Sequence, residues 1–339
     1  MIKIFTDTSF MTPQYRSSVF PLLFDLCYIN NKVLLEKYNI VDSIKEADVV
    51  ILPIAIECFF AEKRTVWMYE FIANGNLANK IVWVYSAGDI GLTLNIAVYT
   101  FRLGGFASKL DNHSYVMPSF IGDPYNILES EFEPIPKTKL PTIGFVGHAS
   151  GGVLKKTKEF LIYLKHNAQR FLQQVHTDYQ EFYPSSIKRY QFLSILEKSS
   201  ELKTHFFYRT QYRAGAKTKE DKIKSSLVFL ENIKDNAYTF CLRGAGNFSV
   251  RFYETLAMGR IPLVMDTDFR LPIDSLIQWE NHCVIANIDN FIETLIDFHT
   301  TISDADFEQM QYNNRKLWLT YLNRDSYFST IHDHFKKIR

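Results

Sequence analysis

Two arginines and a glutamate set around a glycine-rich turn are the residues of this sequence best suited to chemistry. Arg243 precedes Gly244-Ala245-Gly246, and Arg251 and Glu254 follow it. Two guanidiniums bind diphosphate oxygens bidentately, and a carboxylate accepts hydrogen bonds from both hydroxyls of a ribose. Gly244 and Gly246 can take positive φ and let a ligand approach the backbone. Asn247 or Ser249 can cap the helix that follows, on which Arg251 and Glu254, three apart, share one side. A strand, turn and helix start of this kind aims free N–H groups and partial positive charge at one point, which suits a phosphate. The set points to a sugar nucleotide.

The segment RGAGNFSVRFYETLAMGRIPLVMDTDFRLP, residues 243–272, resembles the donor-binding signature of the exostosin-type glycosyltransferases, family 47, and within them the soluble bacterial branch. The resemblance is most specific over residues 238–277 and extends loosely back to Pro141. It implies a GT-B fold, α/β with two Rossmann-like domains facing a central cleft, and inverting chemistry with the donor held mainly by the C-terminal half. By the same resemblance Arg243 and Arg251 bind the diphosphate, Glu254 the ribose, and Ser249 donates a hydroxyl to phosphate. No cofactor beyond the nucleoside-diphosphate sugar is implied, and no essential metal.

Other residues join this set by position. Gly144, Gly147, Gly151 and Gly152 surround His148 in a strand-to-helix loop that a parallel sheet would turn toward the same crevice, so His148 or the N–H groups beside it can meet the donor. Arg209 ends another short strand and is a second candidate there, whereas Arg213 reads as a surface residue. Asp266-Thr267-Asp268 has the look of a metal-binding D-x-D pair. In a domain already supplied with arginines it reads better as a loop or a sugar-hydroxyl contact, with Asp268 the nearer. Inverting transfer also needs a base opposite the leaving group, hence from the N-terminal half. Asp7, Glu57 and Asp89 each follow an expected strand end; Asp89, between Gly88 and Gly91, is the first choice, and Arg102 can orient acceptor or base.

These groups need a scaffold, and the hydrophobic pattern supplies one. Strand-like runs at Ile2–Phe5, Val49–Leu52 and Ile81–Tyr85 alternate with helix-length stretches at Val19–Tyr38 and Ala61–Ala73, the pattern of βαβ units and a parallel sheet. Strands as apolar as Val49-Val50-Ile51-Leu52 imply a sheet covered on both faces. Residues 122–140 carry prolines and charge without period and read as a linker. The alternation then restarts at Thr142–Val146, with a helix within Leu154–Val175, a strand at His205–Tyr208 and a helix at Thr218–Lys234. The expected division is an acceptor-side domain over residues 1–138, a donor domain over 139–315, and a terminal helix over 316–339 crossing back onto the first domain.

Composition bounds the rest. With 38 basic and 37 acidic residues among 339 there is no electrostatic case for a nucleic-acid partner. Four scattered cysteines form neither a zinc site nor a disulfide framework. No P-loop motif is present. The opening MIKIFTD lacks the design of a signal peptide, and no apolar run reaches membrane-spanning length. The expected setting is cytoplasmic, at most peripheral at the inner face of a membrane. The expected partners are a nucleotide sugar and an oligosaccharide or lipid-linked glycan, as in surface-polysaccharide assembly. Two alternatives share the fold: a non-catalytic nucleotide- or glycan-binding module in a larger assembly, and a nucleotide-sugar epimerase or hydrolase.

Overall fold

The computed structural model describes residues 1–209 and 218–338; Arg213 lies outside them. The N-terminal half runs β1 (Ile2–Phe5), α1 (Pro21–Phe24), α2 (Lys32–Leu35), β2 (Tyr38–Val41), β3 (Val49–Ile51), α3 (Ile56–Ala61), α4 (Thr65–Leu77), β4 (Ile81–Ser86), β5 (Tyr99–Arg102) and β6 (Ser114–Val116). Its strands form one parallel sheet in the order β2-β1-β3-β4-β5-β6. Every residue of β3 is buried, as a strand covered on both faces requires.

After α5 (Tyr125–Leu128) the pattern repeats with β7 (Thr142–His148), α6 (Val153–Phe171), α7 (Ser185–Lys198), β8 (Lys203–Arg209), α8 (Lys219–Lys234), β9 (Tyr238–Cys241), α9 (Val250–Ala257), β10 (Ile261–Met265) and β11 (Val284–Ala286). The second parallel sheet has the order β11-β10-β9-β7-β8. Its first strand, β7, therefore lies between β8 and β9, and the chain reverses its direction of travel there. Ligands bind α/β sheets at the carboxyl ends of strands at such a reversal. Two doubly wound α/β units facing one cleft is the architecture implied by the sequence.

The chain ends with α10 (Phe291–Thr301), α11 (Asp304–Leu317) and α12 (Arg324–Ile338). Tyr327, Phe328, Ile331 and Phe335 of α12 are buried in the core of the first sheet, where the Phe335 and Trp83 rings lie 4.7 Å apart. Arg324, at the start of α12, meets buried Asp25 at 3.1 Å.

The stretch Val19–Tyr38 is not the single helix its apolar content suggests. Pro21 starts α1, the backbone widens into a π-helical turn over Asp25–Ile29, and Asn30 ends it in the left-handed region at φ 54°. The Asn31 side chain then accepts from the N–H groups of Val33 and Leu34 to start α2, and Tyr38 enters β2. The edge strands β2 and β6 and the inner strand β5 have no counterpart among the strands expected from sequence, because each is short and has no apolar run of its own.

The two units interlock through backbone contacts that only glycine permits. A side chain at Gly246 would place its Cβ 1.9 Å from the carbonyl oxygen of Asp89, and one at Gly104 would lie 2.8 Å from that of Asn247. Phe106 and Phe269 form a β-bridge across the same junction.

Candidate functional site

A cleft of about 570 Å³ opens at the reversal point of the second sheet, within the range of nucleotide-sized sites. Its floor is the carboxyl end of β7 (Val146, Gly147, His148) and the turn after β9 (Leu242, Gly244, Ala245, Gly246). Ser249, Val250, Arg251 and Glu254 of the α9 start form one wall, and Asp89 of the first unit faces them. Ser249 sits at the N-cap in an extended conformation (φ −137°), but its hydroxyl makes no capping bond. Phe252 N–H donates back to the Ser249 carbonyl at 3.2 Å, and Val250 and Arg251, whose N–H groups begin the helix, lie at this cleft with the positive end of its dipole.

Four cationic side chains line the space: Arg189, Arg209, Lys222 and Arg251. Arg251 donates to the Val146 carbonyl at 2.8 Å and lies 4.3 Å from the Phe145 ring centre. Gly147 makes room for it, since a Cβ there would come within 2.7 Å of the guanidinium. Arg209 donates to the Ser225 carbonyl at 2.8 Å. His148 meets the Arg209 carbonyl through Nδ1 at 2.9 Å, and its Nε2 meets Lys155.

Arg189 has no signature in the sequence. It projects from α7, donates to the His148 carbonyl at 2.7 Å and reaches the Arg243 carbonyl at 3.5 Å, so it clamps the two loops that form the floor. Nothing in the run Lys188-Arg189 tells which residue turns inward; only the docking of α7 on the sheet decides it. Burial, and then the nearby charge of Arg251, push the Arg189 guanidinium down to about 10. Burial likewise lowers Arg251, and Arg209 adds to the effect. The Nε atoms of Arg189 and Arg251 are buried without an acceptor among the described residues. Crowded cations with unspent donors are a site built to receive an anion.

Several residues singled out in the sequence are placed elsewhere. The Arg243 guanidinium does not line the cleft: it stacks 5.0 Å from the Phe106 ring and 4.5 Å from Tyr183, and donates to Gln180 at 2.5 Å and the Ala245 carbonyl at 3.0 Å. Asn247 neither caps α9 nor faces the cleft opening. Its amide donates to the carbonyls of Gly105, Thr267 and Asp268, and its oxygen accepts from Thr267 at 2.8 Å, which pins the turn to the neighbouring loops. Gly244 and Gly246 both lie on the floor, but neither has positive φ. Gly244 is open to the space above it, whereas Gly246 is glycine because the Asp89 backbone passes so close.

Asp268 also faces away. At φ 57° it turns its carboxylate to the N–H (3.1 Å) and hydroxyl (2.5 Å) of Ser108, tying the two units together. Among the described residues no group of three His, Cys, Asp or Glu side chains is placed to hold a metal ion.

On the opposite wall, Asp89 is the one lining residue from the first unit among the described residues. Asp7 caps the short turn Thr8–Phe10 by accepting from Ser9 N–H at 2.9 Å and does not line the cleft. Glu57 lies behind Asp89, accepting from the Ser86 hydroxyl and from the N–H groups of Ala87 (3.2 Å) and Gly88 (3.4 Å). Arg102 cannot touch an acceptor. It is 2% exposed, and its donors go to Gly104, Thr93, Asp178 and Ile90. Through the Ile90 carbonyl it shapes the loop that carries Asp89.

A second groove of about 630 Å³ lies against α10 and α11. It mixes Glu280 and Asp306 with Lys316 and so lacks convergent charge of one sign.

No family model matches the chain. Among solved structures it is similar to a glycosyltransferase from Rickettsia africae ESF-5, with 11% identity, a TM-score of 0.40, and 99% of this chain against 98% of that one covered. It is also similar to TarM of S. aureus, as a mutant in complex with fondaparinux, alpha-GlcNAc-glycerol and UDP, with 11% identity, a TM-score of 0.34, and 85% of this chain covered. The match spans 55% of TarM, about half of its length. A third is WaaG, described as a glycosyltransferase involved in lipopolysaccharide biosynthesis, with 11% identity, a TM-score of 0.33, and 92% against 82% covered. These are loose likenesses of fold, and what this cleft does has to be read from its own residues.

Proposed function

We propose that this chain is an inverting glycosyltransferase that moves a sugar from a nucleoside diphosphate to a hydroxyl of a glycan acceptor. One observation carries the reading: three guanidiniums and the start of α9 converge at the reversal point of the second sheet, with Glu254 on the same wall and Asp89 across the space. The polyvalent cationic floor suits a diphosphate, and Glu254 suits the ribose hydroxyls.

In the reaction the bond between the anomeric carbon and the diphosphate oxygen breaks with its electron pair leaving on the diphosphate. The acceptor oxygen bonds to the opposite face of that carbon, and its proton passes to the Asp89 carboxylate. The transition state gathers negative charge on the departing oxygen, so Arg251, Arg209 and the α9 N–H groups bind it more strongly than the ground state. Arg189 supports them by holding the two floor loops in register. Cationic side chains take the neutralising role that a divalent ion would otherwise fill, and no metal is required on this reading. The 1–138, 139–315 and 316–339 divisions then correspond to acceptor side, donor side and a returning helix.

Calorimetric titration with UDP, GDP, CMP and their sugars tests the proposal. One nucleoside diphosphate is expected to bind with micromolar affinity and to raise the melting temperature. Failure of every nucleotide to bind at millimolar concentration overturns it. Product analysis with and without a glycan acceptor then separates transfer from simple hydrolysis.

A further inference from the structure

Helix α6 is built inside out. Its positions against the protein body are mostly polar: Lys155 meets His148, Tyr163 meets the Tyr179 hydroxyl at 3.2 Å and the Phe182 ring at 5.4 Å, and the Arg170 guanidinium lies 4.6 Å from the Tyr179 ring. Glu159 and His166 fall on the same half-buried face. No residue of the helix is buried. Five of the apolar residues point the other way, with Val153 82%, Leu154 90% and Phe171 87% exposed and Leu161 and Leu164 beside them, while Phe160 at the edge of this stripe packs 5.2 Å from the Phe182 ring and Ile162 lies outside it. At 3.6 residues per turn these five occupy an arc of about 100°. A surface helix ordinarily turns such a stripe inward.

The charges around the stripe say what would cover it. Lys156 borders it on one side and Lys158 and Lys165 on the other, all exposed, while the one acidic residue of the helix, Glu159, faces the body. Lysine is depleted at the centre of protein interfaces, but at a lipid surface its stem lies along the apolar layer and its ammonium reaches the head groups. An apolar stripe bracketed by lysines is the pattern of a helix lying in the plane of an anionic bilayer. No helix among the described residues is long and apolar enough to cross one.

We propose that α6 docks flat on an anionic lipid surface, with Leu154, Leu161, Leu164 and Phe171 in the acyl boundary and Lys156, Lys158 and Lys165 among the head groups. The helix follows the loop after His148, so docking would set the cleft beside the membrane. That this serves a lipid-linked acceptor rests on the transferase reading; the docking itself does not.

The test is sedimentation with vesicles of phosphatidylcholine alone or mixed with phosphatidylglycerol, without nucleotide or sugar. The protein is expected to sediment with the mixed vesicles only. Each lysine near an anionic surface is worth about fivefold in binding, so replacing all three by Gln lowers it on the order of a hundredfold. Leu161→Glu with Leu164→Glu abolishes sedimentation, while melting temperature and nucleotide binding stay at wild-type values because both positions are exposed. The proposal is overturned if the wild type stays in solution with the mixed vesicles. It is equally overturned if light scattering shows a dimer that the double Glu variant dissolves, since a second copy would then own the stripe. A chain that binds vesicles but no nucleotide would sink the transferase reading and leave the docking intact.

Discussion

Replacing Arg251 and Arg243 separately by Met should produce opposite phenotypes. Arg251→Met removes a donor to the leaving diphosphate, which costs about 10²–10³ in kcat. Its effect on the unliganded fold is small by contrast. The variant loses the bond to Val146 and the contact with Phe145, each worth about 1 kcal/mol, together with the attraction of Glu254, and it relieves the burial of a guanidinium beside Arg209 and Arg189. The melting temperature should therefore fall less than in the Arg243 variant, while the shift on adding nucleotide disappears. Arg243→Met instead breaks the bonds to Gln180 and Ala245 and the stacking on Phe106 and Tyr183. At about 1 kcal/mol per bond and about 0.5–1 per ring contact, the loss is roughly 3–4 kcal/mol. That is a fall of roughly 6–15 °C in the domain's melting temperature, with kcat held within about tenfold. The assay is release of nucleoside diphosphate under saturating donor, alongside thermal melts of both variants. If Arg243→Met loses as much kcat as Arg251→Met while melting normally, the arginine stacked under the aromatic rings is a diphosphate ligand and this assignment fails.

Three further outcomes follow from the same geometry. Glu254→Gln should raise the KM for donor about tenfold with kcat little changed, and should erase discrimination against a 2′-deoxyribose donor; unchanged discrimination removes the ribose role. Gly246→Ala, whose Cβ would sit 1.9 Å from the Asp89 carbonyl, should spread the two units, destabilise by about 1–3 kcal/mol and lower kcat, whereas Gly244→Ala, with open space above it, should melt as wild type in the absence of ligand. Burial pushes the Asp25 carboxyl up to about 6 against the opposing pull of Arg324. A raised folded pKa means stability present below the unfolded value and lost as pH rises through the folded one, here about 3 kcal/mol between roughly pH 4 and 6. Urea melts across that window should show wild type losing stability relative to Asp25→Asn as pH rises; a constant difference refutes the assignment.

Residue types and spacing alone determined the alternation of strands and helices, the strand-turn-helix over residues 238–257, and the candidacy of Arg251 and Glu254. These are local properties, because hydrophobic period and turn chemistry are written within one element. Tertiary structure decided which of the neighbouring arginines faces the cleft. Arg243 is drawn under Phe106 and Tyr183, rings from distant parts of the chain, and Arg189 is delivered from α7 to the place expected of Arg243. It also gave Asn247, Asp268 and Arg102 to the junction between the two units, since buried polar groups take whichever partners the packed chain brings near. The case of α6 shows the same limit. Its period marks an amphipathic helix, but whether the apolar stripe turns inward or outward depends on what the rest of the molecule offers it, and here the body offers His148 and Tyr179 to its polar side.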